Sequence, residues 1–440
     1  MANQNEQSLA AEFKEEESAF WSLGIATIVL AVVIGFAALL LSLFLEHVEV
    51  LFLHFHESFR HYSPNSASPL RRFLSVVIGS TIAGFVWWAI RSRGRKIVGI
   101  NAALKGDEMP PIKTALNVLA QMFFVGTGGS VGRELAPRQA GVMLAQVYQK
   151  KTAKWRFLKL SQEDQKLLLA AAAGAGFAGV YISPITGMLF AVELLLKKAS
   201  VKTISVSLIM STIAALMGAI VKGFDPYYAL SKVDHFSLIL LVVSLIIGPI
   251  AGIFGAWAKQ AFAWAQKYQA KGRWLWLTMP LVGVVTGLTA WAFPYVMGNG
   301  RATAQYAFLQ TDHHLLYFFI ALGLAKFVMT FLSLYAGGTG GTLTPSIALG
   351  SVLGLVASVP LAPLFPGISS WQFALIGAVA LLAASQQAPL MAMFMVFEIS
   401  HLDYSALIIF ALAVALSSST AKIYLNWCDR RRAAVKSKLS

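Results

Sequence analysis

Charge is scarce in this sequence. Only 12% of its 440 residues are Asp, Glu, Lys or Arg, about half of what a soluble domain carries. Hydrophobic residues make up 57%, and mean hydropathy is +0.67, which excludes a water-soluble globule. Cysteine is almost absent: the single Cys428 rules out an intramolecular disulfide framework and reads as an inert thiol. No cleavable leader is expected. The first apolar run starts about 20 residues in, behind Glu12, Glu15, Glu16 and Glu17, and is too long for a signal core.

Long apolar runs are plentiful. Ser22–Leu45, Phe73–Ile90, Ile204–Ile220, Phe236–Trp257, Leu315–Tyr335 and Ala406–Ser419 approach or exceed the ~20 residues that cross a ~30 Å hydrocarbon core. Other apolar stretches are shorter and broken by Gly and Pro, as in helices that stop near the membrane centre. The net charge of +15 is placed at run ends: Arg91, Arg93, Arg95 and Lys96; Lys150, Lys151, Lys154 and Arg156; Arg430, Arg431, Arg432, Lys436 and Lys438. Such clusters fit the positive-inside bias and contact with anionic lipid headgroups, and put the C-terminus in the cytoplasm. Nothing resembles a nucleic-acid-binding module.

The organisation is a repeat. The stretch 172-AAGAGFAGVYISPITGMLFAVELL-195 parallels 378-AVALLAASQQAPLMAMFMVFEIS-400, and nine residues separate Pro184 from Glu193 as they separate Pro389 from Glu398. A similar shift carries 128-GGSVGRELAP-137 onto 337-GGTGGTLTPSIALG-350. Two pairs at nearly one offset divide the chain into an N-terminal cytoplasmic segment (1–21), a membrane repeat (22–221), a linker (222–235), a second repeat (236–427) and a basic cytoplasmic tail (428–440). Short, interrupted segments in matching positions of two halves are the transporter pattern, with the binding site where the broken helices meet.

Both breaks are glycine-rich: Gly126, Gly128, Gly129 and Gly132, then Gly337, Gly338, Gly340 and Gly341. Pro137 and Pro345 suit the first turn of a following helix. Each break therefore presents a helix N-terminus with free N–H donors and a positive dipole end. Two such ends converging would hold an anion weakly, without a full charge to trap it. Glu134 stands in the first break, and an ionisable residue at membrane depth is a functional candidate by default.

GRELAP (Gly132 to Pro137), GTLTP (Gly341 to Pro345) and the two proline-to-glutamate helices resemble the motifs of the CLC family of chloride channels and chloride/proton antiporters, over about Arg93 to Tyr424. The resemblance implies an all-α polytopic membrane protein of two inverted repeats with broken and re-entrant helices. It implies a homodimer with one pore per subunit in a bacterial inner membrane, both termini cytoplasmic, with no cytoplasmic CBS domains. Chloride, with protons as a possible second ion, is the transported species, and neither cofactor, metal nor enzymatic activity is expected. Glu134 is then the gate. Gly132, Arg133, Glu134, Leu135, Gly341, Thr342 and Leu343 surround the anion, with Tyr424 at the inner end, and Arg133 orients the Glu134 loop by bonding nearby carbonyls. The chain departs from the family pattern in four places. Residues 93–104 contain no serine where the family has a coordinating one, the proline after Glu134 is shifted by one, Leu343 replaces a phenylalanine, and Leu194 stands where antiporters carry an inner glutamate. Channel and antiporter both remain open, as does a carrier for another anion.

Rival readings are weaker. GGSVG (Gly128 to Gly132) is formally a nucleophile motif around Ser130, the basis for a membrane-embedded serine hydrolase, but the strand such a motif needs is absent. His54, His56, His61 and Glu57 form an interfacial belt more readily than a metal site, and His313-His314 is a loop pair. Glu193 and Glu398 sit at helix ends, where a structural role is expected.

Overall fold

The computed structural model describes residues 2–58, 61–92, 97–230, 235–310 and 316–439, of which 2–19, 156, 362 and 432–439 are described by backbone alone. Among the described residues the chain is helical throughout. Eight helices precede the linker: α1 (Ala2–Leu53), α2 (Pro69–Ser92), α3 (Ile100–Ala103), α4 (Pro111–Gly126), α5 (Leu135–Thr152), α6 (Gln162–Tyr181), α7 (Pro184–Leu189) and α8 (Val201–Lys222). Eight follow it: α9 (Leu240–Lys267), α10 (Leu275–Ala292), α11 (Arg301–Phe308), α12 (Leu316–Tyr335), α13 (Leu343–Leu361), α14 (Ser370–Gln386), α15 (Pro389–Ser400) and α16 (Ser405–Leu439). Eight helices among the described residues are long and apolar enough to cross a membrane. Their outward residues, such as Ile28, Val32 and Phe36 on α1 or Leu245, Ile253 and Phe254 on α9, are exposed. Apolar surface on this scale is stable against lipid and not against water.

The repeat extends to the backbone torsions. α6 stops at Ile182 (φ 53°) and α14 at Gln387 (φ 56°), each two residues before a helix-starting proline. α7 passes into a π-helical turn over Phe190–Leu196 and ends at Lys197 (φ 52°), while α15 stays α-helical to His401 (φ 48°). The first copy has one residue more between its proline and its left-handed terminus, and the π-turn absorbs it. Glu193 lies in that turn, and Glu398 on α15.

The chain forms two compact units. The first comprises Met1–Leu40, Lys96–Ala115 and Pro137–Phe224. Its core is the small-residue helix α6, buried from Leu167 to Tyr181. A Cβ at Gly174 or Gly187 would run into the facing backbone, so the absent side chains let α6 and α7 touch main chain to main chain. Ser161 caps α6, and a Ser200–Thr203 capping box opens α8, satisfying N–H groups that would otherwise be orphaned. The second unit comprises Leu41–Arg95, Leu116–Ala136 and Asp225–Ser440. Gly350 and Gly377 leave the same kind of close approach between α13 and α14. Residues 231–234 of the expected linker, like His313-His314, lie outside the described residues.

Candidate anion site

The site is built in the second unit from the two glycine breaks. After α4 the chain turns at Gly128 (φ 107°), and after α12 it turns at Gly337 (φ 106°), torsions that only glycine adopts at low cost. The two segments then run antiparallel and join through one bridge. Gly132 N–H donates to Gly341 O at 2.7 Å, and Gly341 N–H donates to Gly132 O at 2.8 Å. Convergence of the breaks, expected from the repeat, is thus a pair of main-chain hydrogen bonds.

The bridge sets Glu134 against the N-terminus of α13. Leu343 N–H donates to Glu134 Oε1 at 2.8 Å, and Thr344 Oγ1 donates to Oε2 at 3.2 Å. Glu134 and Thr344 are fully buried and Leu343 is 1% exposed. Both glycines of the bridge are needed for this seat, because a Cβ at Gly132 or Gly341 would overlap the Glu134 carboxyl. N–H groups and the positive dipole end make this helix terminus a place for negative charge, and the carboxyl occupies it. Gly128 to Pro137 spans nine residues where Gly337 to Pro345 spans eight. Glu134 belongs to the longer break, and its carboxyl sits on the helix terminus that follows the shorter one.

Of the other expected residues, Leu135 opens α5 and Leu343 opens α13. Thr342 lies beside the bridge, its carbonyl accepting from Ser346 N–H and Oγ. Arg133 reaches the Glu57 carboxylate at 2.6 Å, a partner the sequence did not indicate. Arg301 approaches the same carboxylate at 3.3 Å, donates twice to Tyr227 O, and shares the Tyr227 ring face with Arg133. Tyr424 lies on α16, packed against Ala256, Ala384 and Ala421 and beside Trp427. Arg93 and Lys96, at the start of the serine-less stretch, lie outside the described residues.

Ser130 is fully buried. Its hydroxyl meets Thr330 Oγ1 at 3.2 Å and accepts from Lys326 Nζ at 2.9 Å. Lys326 also donates to Val296 O and Gly298 O. This arrangement ties the break to α12, with a threonine and a lysine as the hydrogen-bond partners of the serine. Glu57, read in sequence as part of an interfacial histidine segment, accepts from Arg133 and pairs with Arg301.

Sequence reading missed Thr344, Lys326 and Glu57. Lys326 carried a signal, a lone charge inside the apolar run Leu315–Tyr335. Thr344 had only its place in GTLTP. For Glu57 no local signal exists, since its partners are 76 residues away and further.

The family described as "Voltage gated chloride channel" matches over residues 74–422. A ClcB-like chloride channel protein of Ralstonia nicotianae is 30% identical over 307 residues, covering 68% of this chain and 69% of its own. A voltage-gated ClC-type chloride channel, ClcB, of Citrobacter koseri is 27% identical over 393 residues, covering 85% and 90%. Among solved structures, a slow cyanobacterial Cl⁻/H⁺ antiporter superposes with a TM-score of 0.76 at 19% identity, covering 94% of this chain and 98% of its own. A CLC-type fluoride/proton antiporter gives 0.63 at 20% identity, covering 92% and 96%. With its helical repeat, converging glycine breaks and family match over most of its length, this chain belongs to the voltage gated chloride channel family, the CLC anion channels and antiporters.

Proposed function

We propose that this protein passes chloride across the membrane through a pathway gated by Glu134. The observation that carries this reading is the Glu134 carboxyl seated on Leu343 N–H and Thr344 Oγ1. An ionised carboxylate competes with an anion for those donors. A protonated one makes a poorer acceptor and is released from the seat, so anion occupancy and protonation are coupled. Neutral donors in place of a full charge keep the anion weakly held, as conduction requires. The backbone N–H groups around Gly132–Leu135 and Gly341–Leu343, with Thr344, are the residues proposed to receive it.

Chloride is favoured over other anions by the Ralstonia nicotianae and Citrobacter koseri relatives, which carry chloride in their names. A homodimer in a bacterial inner membrane, with cytoplasmic termini, completes the reading; the bacterial relatives and the basic clusters at run ends support the membrane and orientation. The test is simultaneous chloride and proton flux from liposomes, wild type beside Glu134→Gln. Uphill proton movement driven by a chloride gradient identifies an antiporter whose protons do not pass through position 194, and chloride flux without protons identifies a channel. A Glu134→Gln protein with the wild-type pH response would overturn the gate.

A further inference from the structure

Glu49, in the second unit, has no part in the pathway above. It lies on α1, is 8% exposed, and its Oε2 is buried with no hydrogen-bond partner among the described residues. The charged groups that face it are Glu57, Arg133 and Arg301, with Glu46 one turn back on its own helix. Glu57 takes the short contacts to both guanidinium groups, which leaves Glu49 beside them but less well served. With Glu57, Tyr62, Arg133 and Asn299 it lines a cavity of about 30 Å³, room for about one water molecule.

Two opposing effects meet at this carboxyl. A buried carboxylate with an oxygen facing no donor is unfavourable, and the Glu57 charge adds to that. Removing its charge by protonation leaves two guanidinium groups with a single carboxylate between them. The carboxyl thus has a cost in either state, from burial and Glu57 when charged and from the two guanidinium groups when neutral.

We propose that Glu49 is a proton-binding site, loaded through this cavity, that sets the charge beside the Glu134 gate. The inference rests on Glu134 being that gate. A hydronium ion in the cavity gives its proton to Glu49 Oε2: one of its O–H bonds breaks, leaving water, as one O–H bond forms on the carboxylate and converts it to the carboxylic acid. Before uptake the charges of Glu49, Glu57, Arg133 and Arg301 cancel. After uptake the group carries one positive charge, part of it on Arg133, the residue preceding Glu134. That charge favours an anion at the α13 terminus, so acidification lowers the chloride concentration giving half-maximal flux. Coupling of this kind between neighbouring sites is roughly fivefold or more.

The experiment measures half-saturating chloride against pH in liposomes for wild type, Glu134→Gln, Glu49→Gln and the double variant. Glu134→Gln removes the titration of the gate itself. It should keep a pH-dependent half-saturation that the double variant lacks, with the double variant fixed at the acid value. Glu49→Asp, which still titrates, should keep the response with a displaced midpoint, whereas a purely structural role would make the shorter Asp worse than the isosteric Gln. If Glu134→Gln and the double variant share one pH dependence, Glu49 is not the proton site. If Glu134→Gln reproduces the full wild-type pH response of flux, the gate reading fails instead, and the two failures are separate readings of one data set.

Discussion

The carboxyl of Glu134 takes its main-chain hydrogen bond, 2.8 Å long, from Leu343, the residue that opens α13 in the second repeat. One break is longer than the other by one residue, and the Glu134 side chain from the longer break reaches the helix end that follows the shorter one. The Gly132–Gly341 bridge fixes the geometry, because its two hydrogen bonds hold the segments in one register.

Removing a donor from the seated carboxylate should open the pathway at higher pH. In Thr344→Val the 3.2 Å bond to Oε2 is lost while size and burial are kept. A hydrogen bond to a charged group contributes roughly 1.5–3 kcal/mol, so the seated ionised form weakens and protonation becomes easier. The pH of half-maximal chloride flux should rise by about one unit. An unchanged or lower midpoint would show that Thr344 does not hold the closed state.

Gly341→Ala acts on the same seat by volume. Its Cβ would overlap the carboxyl of Glu134, so the side chain must leave the α13 terminus. Chloride flux in alkaline buffer, where the proposed gate is closed, should increase several-fold, and any proton coupling should fall. Gly337→Ala is the control, since φ is 106° there and the strain falls on the turn, away from the carboxyl. That variant should lower thermal stability, with surviving protein gating as wild type. A Gly341→Ala protein that still closes at alkaline pH would place the gate elsewhere.

Much of this was legible in the sequence because it rests on local rules. Membrane helices follow from apolar length, the repeat from matched Pro-to-Glu spacing, and the broken helices from Gly clusters followed by Pro. The torsions of Ile182 and Gln387 repeat what the aligned prolines imply. Long-range pairing was not legible. Nothing near Arg133 indicates Glu57, or near Glu57 indicates Arg301, because their contacts arise only when separate helices pack. The π-turn at Phe190–Leu196 was likewise hidden, although the extra residue that it absorbs can be counted in the sequence once the left-handed termini are known.

Lys326 should prove essential to the break's stability. It is fully buried, and its three hydrogen bonds go to Ser130 Oγ, Val296 O and Gly298 O. Lys326→Met retains the bulk but leaves the buried Val296 carbonyl and the part-buried Gly298 carbonyl without this donor, at roughly 1–3 kcal/mol for the buried one and less for the other. Melting temperature in detergent should fall by several degrees, with Lys326→Gln in between because its amide can replace part of the bonding. Equal stability of the Met variant would mean that the carbonyls find other donors and that the lysine is not a structural tie.

Asp403 offers a pH-dependent test away from the pathway. It stands before α16, where hydrogen bonding from Ser405, including the backbone N–H at 3.0 Å, and from His235 at 3.1 Å holds its carboxyl well below the usual carboxylate range. A group whose folded value is depressed adds stability above its unfolded value, near 3.9, and loses it as pH falls towards the folded one. Asp403→Ala should therefore melt at a lower temperature than wild type at neutral pH, by an amount that stays level down to about pH 5. Below about pH 4 the gap should begin to close, as the wild-type carboxyl takes up a proton in the unfolded chain and then in the folded one. A gap that stays constant through the acid range would trace to the loss of the helix cap alone and remove the charge from the account.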